Sequence, residues 1–139
     1  MHAEEIGKNL PALFAALFVS ILFIQSGLDK VFHWNDQLSW LTEHFAETFL
    51  KGMVPVMMAT ITVMEVATGF FAAAGIIYLL AAGSLVVMFY AAVLGALSLT
   101  ALFFGQRIAE DYPGAAVLVP YFLLVLALMY LTNPYLKVL

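Results

Sequence analysis

Four stretches of this chain carry almost no polar side chains, and a fifth, between the first two, mixes apolar and charged positions at helical spacing. The first apolar stretch runs from about 10 to 32, with Pro11 in its first turn, where a missing N–H costs nothing. Its last turns hold a polar patch of Gln25, Ser26, Asp29 and Lys30. Gln25 and Asp29, Ser26 and Lys30, and Asp29 and His33 are spaced i, i+4, so the patch forms two adjoining stripes. A second helix is predicted over about 55–80, opened by Pro55, and Gly83-Ser84 offers a tight turn into a third over about 84–104. The fourth covers about 113–133, opened by Pro113 and stopped by Asn133-Pro134. Pro120 inside it is expected to kink the helix and free the carbonyl of Ala116.

Between the first two tracts, Leu38, Leu41, Phe45 and Phe49 recur at three- and four-residue intervals against Asp36, Glu43, Glu47 and Lys51. This spacing predicts an amphipathic helix over about 36–51, too charged to span a bilayer. With Trp34 and Trp40 at its start, it is expected to lie in the interface or fold over one mouth of a bundle.

Composition turns these helices into membrane spans. The 139 residues are 65% apolar and 10% charged, with a mean hydropathy of +1.04. A hydrocarbon core of about 30 Å takes about 20 apolar residues per crossing. The fold class expected is therefore an all-α integral membrane protein, a single domain over 1–139 with a four-transmembrane-helix bundle and one interfacial helix. Gly69, Ala73, Gly75, Gly83, Ala91 and Gly95 are the small residues that let backbones approach in lipid. The apolar run from Leu10 to Ile24 resembles a secretory signal, but Glu4 and Glu5 precede it and no small-x-small site follows, so it is read as the first span. Lys8 and Lys137 fall on one face and Lys30, Lys51 and Arg107 on the other, which leaves orientation undetermined.

Charge and motif then remove whole classes of function. A net charge of -4 and a pI near 5.1 leave no basic patch for nucleic acid. Without cysteine there is no thiol nucleophile or CxxC pair, so electron chemistry must use a diffusible or partner-borne carrier. His2, His33 and His44 lack the paired spacing of a haem or zinc site, and no motif calls for a metal or a covalent cofactor. The seven methionines read as apolar filler.

One ionisable residue stands deep in the second span. A carboxylate there costs roughly 2.5–3.5 kcal/mol on insertion scales, which marks Glu65 as functional or paired. It is expected to face the bundle interior with Thr62 and Gly69, and to hold its proton wholly or in part unless a cation lies close. Counting about 1.5 Å per residue from the mouth that bears the amphipathic helix, Glu65 lies about 15 Å down, Gln25 and Tyr121 about 12 Å, and Ser98 about 10 Å. These residues form one expected polar layer. By the same count Lys30 is only about 5 Å deep, which makes Gln25 the better level match for Glu65.

The run Phe23-Ile24-Gln25-Ser26-Gly27-Leu28-Asp29-Lys30, followed by Glu65-x-x-x-Gly69, resembles the DoxX family across nearly the whole chain. Lys30 and Glu65 match its pattern, whereas Gln25, Ser98 and Tyr121 come from the depth count. The resemblance implies a small four-helix membrane protein of the bacterial inner membrane, related to the DoxD subunit of thiosulfate:quinone oxidoreductase. It points to a quinone-interacting subunit of a membrane redox complex, with Glu65 as proton carrier and Gln25, Lys30, Ser98 or Tyr121 on the quinone. The expected partners are membrane lipid, other membrane protein subunits and quinone. A second reading is a non-catalytic accessory subunit in which Glu65 is a structural hydrogen-bond donor. A proton-coupled carrier ranks below both, for want of repeats or paired broken helices.

Overall fold

The computed structural model describes residues 3–136, so His2 and Lys137 lie outside the described residues. Among these, the chain is all helix: α1 (Ala3–Lys8), α2 (Leu10–Phe32), α3 (Trp34–His44), a 3-10 turn (Lys51–Met53), α4 (Val54–Ala82), α5 (Val86–Ile108) and α6 (Tyr112–Thr132). Four of these, α2, α4, α5 and α6, are long and apolar enough to cross a bilayer. The protein is an integral membrane protein built on a four-span bundle. Successive spans pack side by side, α2 on α4, α4 on α5 and α5 on α6, and a thinner seam between α2 and α6 closes the ring.

Local chemistry sets the corners. Gly83 adopts φ 69° after α4, and its N–H bonds back to the carbonyl of Leu79, a left-handed cap that glycine takes without steric cost. Past α5, Glu110 takes φ 59° and the N–H of Asp111 returns to the carbonyl of Gln106. Asp111 then caps α6, its Oδ1 accepting the N–H of Gly114 at 3.0 Å. α6 runs unbroken through Pro120.

Two expected boundaries move. The third span continues past Phe104 and Gly105 to Ile108. Gly105 is a contact position and not a stop: a Cβ there would sit 3.3 Å from Cζ of Phe45. The interfacial helix ends at His44, well short of 51. Thr48 accounts for the early end, since its hydroxyl donates to the carbonyl of Phe45 at 2.9 Å and accepts the N–H of Leu50 at 3.2 Å, taking backbone groups from the helix ladder. The turn that results buries Phe45 and Leu50 against Val54.

Alanine dominates the tightest part of the core. Ala16, Ala72, Ala91 and Ala92 are fully buried and interleave with Val19, Leu79, Met88, Val125 and Leu128. Between helices in lipid the attraction comes from close contact and not from excluding water, which is why small side chains hold the seams.

Candidate functional site

The α2–α4 seam is built on two glycines, one on each helix. A Cβ on Gly27 would meet the backbone N of Val66 at 3.0 Å, and one on Gly69 would meet the backbone N of Ile24 at 2.7 Å. Each helix thus lays bare backbone against the other. The approach brings Ser26 and Lys30 of α2 onto Glu65 of α4. The Ser26 hydroxyl donates to Oε2 of Glu65 at 2.5 Å and accepts from Nζ of Lys30 at 3.2 Å. Nζ also lies 2.7 Å from Oε1, an ion-pair distance, and Oε1 has no hydrogen-bond partner among the described residues. Glu65 is 2% exposed and Lys30 15%. Thr62 and Gly69 share the buried face, as their spacing requires.

The two short motifs Gly27-x-x-Lys30 and Glu65-x-x-x-Gly69 therefore form one interlocked unit. A cation does lie beside Glu65. Lys30, set too shallow by the depth count, is the partner, and Gln25 is not. That count placed His33 level with Pro55. The glycine contacts put Gly27 opposite Val66 and Gly69 opposite Ile24, a register shifted by about five residues or about 7.5 Å. α4, at 29 residues, outreaches α2, at 23, on the side of α3. Gln25 is exposed, turned about 100° around the helix from Ser26.

The other members of the expected layer divide. Gly95 on α5 packs against Thr68, so the antiparallel register does set Ser98 level with Glu65. Ser98 is fully buried, but its hydroxyl donates to the carbonyl of Leu94 at 2.8 Å. Tyr121 is half-buried and lines a shallow groove between α2 and α6 with Pro11, Phe18 and Pro120. Ser26 is the residue that sequence reasoning left out of the site. Its signal was present in its i, i+4 spacing from Lys30 and its place beside Gly27.

Lys30 also lines a cavity of roughly 570 Å³ between the spans and α3, within the usual range for a small-molecule site. Four methionines line it, Met53, Met57, Met58 and Met64, with Trp40 and Phe45; the polar lining is Lys30, Gln37, Thr60 and Gln106. Glu65 is not in the lining and stands behind Lys30. α3 crosses the mouth as a strap fixed at both ends. Near its start, Nε2 of Gln37 donates to Oδ2 of Asp29 at 2.8 Å. At its end, Nε2 of His44 lies 2.7 Å from Oε1 of Gln106 and 3.8 Å from Oδ2 of Asp111, while the ring stacks on Trp40.

Fold and site together define a four-span membrane protein with a part-buried Lys–Ser–Glu cluster beside an apolar cavity. No family model, curated protein or solved structure matches the chain.

Proposed function

We propose that this chain is a quinone-interacting subunit of a membrane redox complex in the bacterial inner membrane, in line with its resemblance to the DoxX family. The observation that carries the reading is the apolar cavity whose lining includes Lys30, whose ammonium is backed by Ser26 and Glu65. A quinone ring is apolar on its faces and offers carbonyl oxygens at its edge. Met and Trp side chains suit the faces, and the Lys30 ammonium is a donor for a carbonyl. Glu65 then acts behind Lys30, exchanging a proton with it without touching the ligand. Electrons come from a partner subunit, since the chain has no cysteine or metal motif of its own.

The test is equilibrium binding of a ten-carbon-tailed benzoquinone to the purified protein in lipid nanodiscs. Saturable binding weakened at least about tenfold by Lys30→Met is expected. Absence of saturable binding removes the reading.

One observation favours an accessory subunit instead. α6 buries only 17% of its spanning window, against 33–39% for the other spans, and so offers most of its surface to lipid or to a second protein. On that reading the Lys30–Glu65 pair is a structural clamp, and Lys30→Met lowers stability without any ligand to lose.

A further inference from the structure

The cavity has a strapped side, where Trp40 and Met53 of its lining are about half exposed, and a flank with no strap. On the water side, α3 is held at Asp29 and at Gln106, and the turn behind it packs Phe45, Leu50 and Val54 into a cluster exposed by no more than 7%. On the flanks the lining reaches side chains that face outward: Val56 is 67% exposed and Phe104 55%, and Thr60 and Ala101 are exposed as well. Thr60 and Ala101 stand about 9–11 Å inside the ends of α4 and α5, at a depth where the surroundings are hydrocarbon.

We propose, resting on the binding function above, that the cavity is loaded sideways from the bilayer past Thr60 and Ala101, by a neutral amphiphile with a long apolar tail and a hydrogen-bond-accepting head. The head follows from the donor inventory of Lys30. Its ammonium has three N–H groups and makes one hydrogen bond among the described residues, to the hydroxyl of Ser26, with Oε1 of Glu65 2.7 Å away as the balancing charge. The donor capacity left over favours an occupant that carries an acceptor over an acyl chain. Neutrality follows from Glu65, whose carboxylate already balances the ammonium; an anionic head would leave an uncompensated charge in the membrane. The tail follows from the flank, where the opening meets lipid chains. Methionine, unbranched and polarisable, lets such a cavity accept tails of different shape. A small water-soluble quinone, by contrast, would enter past the strap that is held at Asp29 and Gln106.

Trp40 lines the cavity, and in a Trp34→Phe protein it is the one tryptophan left, so its quenching by quinone reports arrival. The protein in nanodiscs is mixed with a ten-carbon-tailed benzoquinone supplied in vesicles, or with tail-less benzoquinone supplied in water. The tailed compound is expected to quench saturably, and Thr60→Phe with Ala101→Phe to slow its onset at least about tenfold. Both positions are exposed, so the variants retain the fold, checked by circular dichroism and a monodisperse elution. His44→Ala, which frees the strap and resets the starting fluorescence by unstacking Trp40, is expected to leave the onset rate within about twofold. Saturable quenching whose onset ignores the flank variants, or which His44→Ala accelerates tenfold, overturns sideways loading while leaving quinone binding standing. No saturable quenching by either compound overturns the binding function, and this route with it.

Discussion

Asp29 and Lys30 are neighbours in sequence, yet each enters an ion pair of a different kind. Lys30 turns inward to Glu65, with exposures of 15% and 2%. Asp29 turns to the mouth, meeting His33 at 3.1 Å with exposures of 41% and 60%, and accepting from Gln37. The geometry of the two pairs is similar, and the surroundings differ. Water screens the outer pair and competes for each partner, so its net worth is small. Nothing competes for the inner pair, so either partner alone would be a buried charge without compensation. A salt bridge in this molecule is therefore valued by what replaces it when it breaks.

The sharpest way to break that contrast is to remove one inner partner. Lys30→Met is expected to destabilise the bundle by about 3–5 kcal/mol, and Glu65→Leu by a similar amount. The double variant should recover most of the loss, since two apolar side chains replace a pair and no orphan charge remains. Reversible unfolding in mixed micelles, run as a double-mutant cycle, measures this. Additive losses would mean that the two residues act through other contacts.

Ser26→Ala should cost about 1.5–3 kcal/mol in the same assay, because the hydroxyl both donates to Glu65 and accepts from Lys30. A change no larger than that of an exposed serine such as Ser39 would place the hydroxyl outside the cluster.

Gly69→Ala tests the spacing that makes the cluster possible. The new Cβ would meet backbone of Ile24 at 2.7 Å and so must push α2 from α4, at about 1–3 kcal/mol. Gly27→Ala, whose nearest backbone contact is 3.0 Å, should cost less, and Gly52→Ala, with open space around it, close to nothing. Any other order would mean that the seam is not set by these glycines.

The spans were legible because a bilayer imposes one demand, a long apolar helix, that sequence states directly. Glu65 was legible for the same reason, as the one charge inside such a run. The partner was misassigned because pairing depends on how far two antiparallel helices slide past each other. Level counting took the helix ends as a common origin, while Gly27 and Gly69 set the true register by where bare backbone fits bare backbone. Glycine spacing carried that information, and helix ends did not. The early stop of α3 was hidden for a related reason: Thr48 and the burial of Phe45 act through the turn, and the apolar spacing of Phe45 and Phe49 continues past it. Phe49, counted with the apolar face, is in fact 73% exposed.

The smallest effect belongs to the outer pair. Asp29→Asn keeps one acceptor oxygen for Gln37 and deletes the charge facing His33, so only the screened attraction is lost. Measured at a pH where the imidazole of His33 is protonated, the expected change is about 0–1 kcal/mol, shrinking as salt rises, because the pair stands in water where ions gather round both partners. The inner pair, beyond the reach of dissolved ions, should show no such salt dependence in Lys30→Met. Unfolding both variants at low and high ionic strength puts the two regions side by side. An Asp29→Asn loss that matched Lys30→Met and ignored salt would mean that the mouth is as dry as the seam, and that burial is not what separates them.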